Sequence, residues 1–211
     1  MKALPLLFKL MQTTRFQPQY GYSLAEAYKS DISDLAQHHY LVTFTAWRLS
    51  RLLHHANVSI SVERVLEISL IHDLGELFGG DINFYYQRAN PEAKKHAKEF
   101  EAANNMFLSR FFGDEKEQYL ALIQEMKEGK TVEALVAKIS DIIECVHYKK
   151  VIHRLSSLDV EANSAYLGKL IDALPEPRAK EVMHRFLEGW KKEIIDDRGA
   201  VDIIQMPPSH D

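Results

Sequence analysis

The 211-residue sequence predicts an all-α fold, a bundle of about eight helices, on three observations. Apolar residues recur at three- and four-residue spacing along most of the chain, the pattern of helices that bury one face. No segment alternates convincingly with the two-residue period of a half-buried strand. Glycine and proline total 16 (9 + 7), about 8% against a usual ~12%, which provides few turns for a sheet protein of this length.

Residues 4–12 read as a first short helix. Residues 14–32 carry Pro18, Gly21 and three tyrosines and read as a long irregular connection, a kind of segment that is often functional. Ser33 or Asp34 can cap a helix of about six turns, in which Leu35, Val42, Ala46, Leu49 and Leu53 share a face until Asn57 ends the pattern. Residues 62–71 are apolar nearly all round (Val65, Leu66, Ile68, Leu70, Ile71), as in a helix buried on most sides. Asn90-Pro91, a cap followed by proline at the first helical position, opens a polar helix to about residue 111. Residues 114–128, closed by Gly129, form another, and 131–150 a further one. Stretches from about 161 to 173 and from 177 to 197 supply the last two. With no repeat, low-complexity tract or linker, residues 1–211 read as one domain.

Lysine and arginine number 26 against 30 acidic residues, a net charge of −4. No global basic field therefore recruits a nucleic acid polymer or an anionic membrane. No window of ~18 residues runs apolar without charge. The lone Cys145 cannot form an intramolecular disulfide, and the apolar run near Met1 is short for a secretory signal. The expected compartment is the cytoplasm. Ten histidines, including the pairs His38-His39 and His54-His55, raise the question of a metal.

His72-Asp73 is the sharpest feature, because an apolar helix delivers two ionisable groups into low dielectric, where both are costly unless satisfied. A cation would satisfy both, taking a neutral imidazole nitrogen and a carboxylate oxygen. Neighbouring side chains diverge by about 100° on a helix, so both reach one ion only if the backbone turns, which Gly75 permits. The bland alternative is a helix end with its usual charges. Asp141 lies opposite the stripe Val132, Leu135, Ile139, Ile142 and Val146, on a second face of small or aromatic residues (Ala134, Ala137, Cys145, Tyr148) flanked by Lys138 and Glu144. That placement favours a buried role over an exposed one. His38 and His39 both lie within about 60° of the apolar stripe of their helix, and helical geometry leaves open which of them turns toward the site.

Together these residues resemble the HD-domain metal-dependent phosphohydrolases, whose signature is a helical histidine, a His-Asp pair and a distant aspartate. The match runs through Gln37-His38-His39-Tyr40, Ile71-His72-Asp73-Leu74-Gly75-Glu76, Gly80-Asp81-Ile82 and Ile139-Ser140-Asp141. The resemblance covers roughly residues 8–150. It implies an HD-type helical bundle with that core, on which helices of 161–198 pack. It also implies His38, His72, Asp73 and Asp141 as ligands, with His39 packing behind them. Members with several metals insert further histidines before the last aspartate. Here only His96 lies there, within a run of lysines, so one divalent ion is expected: Mn²⁺, Co²⁺, Fe²⁺, Ni²⁺ or Zn²⁺.

The sequence His72-Asp73-Leu74-Gly75-Glu76, with Gly80-Asp81 following, is similar to the 5′-deoxynucleotidase-like branch. That likeness implies Glu76 and Asp81, beside the metal and substrate, as the catalytic carboxylates. Glu76 can orient or deprotonate the attacking water, and either can handle the leaving-group proton. The bland alternatives are a helix-terminal charge for Glu76 and a turn or cap for Asp81. Arg15-Phe16 matches the branch's arginine–aromatic pair, Arg15 for phosphate and Phe16, Tyr20 or Tyr22 for the nucleoside. Phenylalanine stands where that branch has tryptophan, 23 residues (38 − 15) before His38. The expected activity is release of inorganic phosphate from small phosphomonoesters, with (deoxy)nucleoside 5′-monophosphates foremost. The alternatives are a phosphodiesterase, a (p)ppGpp-type pyrophosphohydrolase on the same metal site, or a non-catalytic helical scaffold. The expected partner is a small phosphorylated substrate, and a homodimer is a family-level expectation. Phe186, Leu187, Trp190 and Ile194-Ile195 are candidates for internal packing or a dimer face. The apolar tail 201–208 is expected to dock on the body or a partner.

Overall fold

The computed structural model describes residues 3–21, 32–196, 198 and 200–205. Among these residues it holds ten α-helices and no strand, only an isolated bridge between Pro18 and Asp34. The helices are α1 (Ala3–Met11), α2 (Leu35–His55), α3 (Val62–Ile71), α4 (Phe84–Ala89), α5 (Pro91–Leu108), α6 (Lys116–Glu128), α7 (Val132–Val151), α8 (Ser157–Asp172), α9 (Pro177–Ile194) and α10 (Ala200–Gln205). None of them is long and apolar enough to cross a membrane.

Side-chain caps set five of the ten starts. Asp34 accepts the Gln37 N–H, Ser61 that of Arg64, Asn90 that of Ala93 and Thr131 that of Ala134, each satisfying an otherwise orphaned donor. Ser156 and Asp159 form a reciprocal capping box, which starts α8 four residues before the expected 161. The first turn of α8 has little apolar patterning, so the box marks it rather than periodicity. Gly129 closes α6 in the left-handed conformation (φ 59°). The six-residue helices α4 and α10 are too short to show a period, and the sequence reading does not contain them.

Helix α7 is the pivot. Leu135, Val136, Ile139, Ile143 and Val146 pack with the end of α2 and with α8 and α9. Its small residues Ala134 and Ala137 face a second apolar cluster built from Leu35, Ile68, Ile71, Leu74 and residues of α6. Helices α2, α3 and α7 pack on one another at the seam between the clusters, and the candidate ligands lie there. Leu187, Trp190 and Ile194 are buried, so that face of α9 packs internally, whereas Ile195 is exposed. Val201, Ile203 and Ile204 on α10 are also exposed, so these side chains do not dock on the body. Residues 206–208 lie outside the described residues.

Gly75 plays a different part from the one expected. The glycines with positive φ are Gly79, Gly80, Gly113 and Gly129, so the turn after α3 does not require Gly75 on dihedral grounds. Its role is space. A Cβ there would lie 2.5 Å from Asn105 Nδ2, 2.6 Å from Glu101 Cγ and 3.0 Å from the Glu101 carbonyl oxygen, while Asn104 Nδ2 donates to the Gly75 carbonyl at 2.7 Å. Helix α5 can press on the site loop only because position 75 has no side chain. Gly75→Ala should therefore destabilise the fold by about 1–3 kcal/mol through overpacking. Gly168→Ala and Gly189→Ala, in open helical positions with nothing within 4 Å, should each add about 0.4–1 kcal/mol. Denaturant unfolding of the three variants checks both signs.

Candidate metal centre

His38 lies in the first turns of α2, His72 follows the last residue of α3, and Asp141 occupies the middle of α7. His72 keeps helical dihedrals (φ −55°, ψ −38°), whereas Asp73 turns away (φ −109°, ψ 16°). That break lets two adjacent side chains converge, with His72 Nε2 3.3 Å from Asp73 Oδ2. His38 Nε2 lies 3.4 Å from Asp73 Oδ2 and 3.4 Å from Asp141 Oδ1, and His72 Nε2 lies 3.9 Å from the latter. All four side chains offer ligand atoms within 4.8 Å of one another. His39, 5% exposed, lies outside this set with its ring 5.0 Å from that of His72, so the fold itself separates the two adjacent histidines of α2.

The imidazole hydrogen-bond partners fix the chemistry. His72 Nδ1 is 2.8 Å from the Ser69 carbonyl oxygen, and His38 Nδ1 is 2.6 Å from a Glu144 carboxylate oxygen. Both partners only accept, so each Nδ1 carries a proton and each ring turns its Nε2 toward the cluster, free to take a second proton or a metal ion. Those Nε2 atoms are buried and have no hydrogen-bond partner, and the groups they face are carboxylate oxygens. Buried imidazole lone pairs facing carboxylate oxygens favour a positive charge between them. The separations fit one: four donors at ~2.1 Å around a tetrahedral ion lie about 3.4 Å apart. Two imidazoles and two carboxylates suit a first-row divalent cation.

The ionisation tendencies agree. Burial lowers the pKa of His38, but Asp141, Asp73 and Glu144 more than reverse it and leave it well above the usual value. His72 is likewise raised against burial, chiefly by Asp73. Burial raises Asp73, yet His72 and His38 hold it well below the ordinary carboxylate range. The cluster draws positive charge, as a proton or as a metal ion.

Two further carboxylates stand beside it. Burial, then the charges of Asp73 and Asp81, push Glu76 well above its usual pKa. Asp81 is raised too, mainly by burial, although the Gly21 N–H it accepts at 2.6 Å opposes the shift. Asn83 donates to the Gly21 carbonyl, so Gly21 is held from both sides. Arg15 lies exposed on a 3₁₀ turn (Gln12–Phe16), with Nε 3.2 Å from Gln12 Oε1. No carboxylate pairs with it among the described residues. Phe16 is 82% exposed, Tyr20 is exposed, and Tyr22 lies outside the described residues. The structure thus gathers the four ligand candidates with Glu76 and Asp81, and it does not bring Arg15 or Phe16 into contact with them. His96 is exposed beside Glu99, as its lysine-rich surroundings imply. Glu144 carries no assignment in the sequence reading; a carboxylate one turn beyond Asp141 on a buried helix was the available signal.

Burial and the charge of His72 push the His39 pKa down to about 3, so its ring stays neutral. Its other side lines an apolar cavity of about 670 Å³ with Phe8, Tyr40, Phe44 and Trp47.

Residues 21–183 match the family described as HD domain. No curated protein matches the chain. Among solved structures, a conserved hypothetical protein of Pyrococcus furiosus is similar over 88% of this chain and 98% of its own, with TM-score 0.64 and 22% identity. A Pyrococcus horikoshii protein is similar over 88% and 97%, with TM-score 0.63 and 19% identity. At these identities the two show a shared fold.

One Mn²⁺ or Co²⁺ per chain should bind and raise the unfolding free energy by about 2.7 kcal/mol at a hundredfold excess over Kd. Asp73→Ala and His72→Ala should abolish that gain, and His96→Ala should leave it intact. Affinity should fall as pH falls, because protons compete for Nε2. Thermal melts with and without metal, across pH, read all three.

Proposed function

The chain belongs to the HD domain family, and from that membership we propose a metal-dependent phosphohydrolase that releases inorganic phosphate from small phosphomonoesters, with (deoxy)nucleoside 5′-monophosphates as the substrate class. The observation that carries the reading is the convergence of His38, His72, Asp73 and Asp141, with two buried, unpartnered Nε2 atoms facing partly exposed carboxylates. Those four residues would hold one divalent ion. Such an ion supplies Lewis acidity to a phosphoryl oxygen and to the attacking water.

The remaining steps fall to the surrounding side chains. Water adds to phosphorus, the ester P–O bond breaks, and the alcohol leaves with a proton. Glu76, whose pKa burial and the charges of Asp73 and Asp81 raise well above its usual value, delivers that proton to the departing oxygen. Asp81, oriented by the Gly21 N–H, takes the proton from the water. Arg15, free of any carboxylate partner among the described residues, grips the phosphate through its planar fork, and Phe16 covers the nucleoside. The nucleotide assignment is supported by the likeness of residues 72–81 to the deoxynucleotidase-like branch.

Phosphate release from a panel of 5′-ribo- and deoxyribonucleoside monophosphates should require added metal and vanish with chelator. Glu76→Gln should lower kcat by about 10²- to 10³-fold without changing metal stoichiometry, and Arg15→Ala should act mainly on KM. Turnover of diesters or pyrophosphorylated nucleotides instead would move the substrate class. Absence of turnover with metal bound would favour a scaffold.

A further inference from the structure

We propose that Glu144 is the positioning residue of the metal centre, holding His38 in the tautomer and ring orientation that aim Nε2 at the ion. The inference rests on reading the cluster as a metal site. Glu144 is 4% exposed, on α7 one turn beyond Asp141 and beside Ile143 and Val146. An unpaired carboxylate there would be strongly unfavourable. Among the described residues it is paired once, at 2.6 Å from His38 Nδ1.

That distance identifies the contact. His38, Glu144 and Cys145 could between them reach one ion, but two atoms bound at ~2.1 Å to a common ion lie about 3 Å or more apart. At 2.6 Å they share a proton, as charge-assisted pairs do. The two candidate histidine ligands are therefore held differently. His72 leans on a neutral backbone carbonyl, which no side-chain substitution removes, while His38 leans on a carboxylate that strengthens its ring as a donor to metal. Because Asp141 and Glu144 share one helix, α7 contributes a candidate ligand and the brace of another candidate ligand from α2.

The test measures metal binding, not turnover. Isothermal titration of metal-free protein with Mn²⁺ and Zn²⁺ should show Glu144→Ala weakening Kd by about 10- to 100-fold. Glu144→Gln, which can still accept from Nδ1–H but without charge, should fall between it and the wild type. Val146→Ala, a buried change on the same helix, should leave Kd unchanged while lowering Tm. In Zn²⁺-loaded protein, ¹⁵N-histidine NMR should show His38 protonated at Nδ1, and that resonance should move in Glu144→Gln. Wild-type Kd in both Glu144 variants would overturn the positioning role and leave the metal site standing. A wild-type chain that binds neither metal would overturn the site and the brace together.

Discussion

Two buried imidazole nitrogens and two partly exposed carboxylates converge on one point, and such an arrangement draws a positive charge to it. The surrounding fold serves that convergence. Each of the three helices α2, α3 and α7 supplies part of it, so their mutual packing must hold several atoms to within tenths of an ångström. The small side chains of α7 allow this. Ala134 and Ala137 are fully buried, and Ser140 turns its hydroxyl back to the Val136 carbonyl, which leaves no bulky group between α7 and its neighbours.

Charge is graded outward from this point. Glu144 lies behind His38, Asp73 and Asp141 face inward, and Glu76 and Asp81 stand at the edge with raised pKa values. Glu101, farther out, is also raised by burial, though Lys127 at 3.5 Å partly offsets it. The same helix α5 that carries Glu101 presses on Gly75. Packing and electrostatics at the site loop are thus set by one contact.

Much of this was legible in the sequence. The bounds of α3 are the expected ones, because its apolar residues run unbroken and Ser61 caps it. Asn90 announced one more start, and Ser33 or Asp34 another, since short oxygen-bearing side chains have a clear use there. His72, Asp73 and Asp141 stood out as ionisable groups on apolar helices. The choice between His38 and His39 was not legible from helical periodicity, because both lie near the same stripe and a rotation of a few tens of degrees decides. Glu144 was hidden for a related reason: a glutamate on a helix is ordinary until its partner, 106 residues away in sequence, is known. The role of Gly75 was misread because steric room depends on α5, which joins the loop only in three dimensions.

The candidate ligands are widely spaced along the chain, by 34 residues (72 − 38) and then 68 (141 − 73). An ion held by them would close two large loops at once, as a pair of covalent cross-links would, and would deny the unfolded chain the conformational freedom of both. It would discriminate most strongly against partly open states in which α7 has lifted from α2 and α3, since those have lost ligands while keeping much of their helix. Metal occupancy would then be a measure of tertiary closure, sensitive to opening events that leave helical content unchanged.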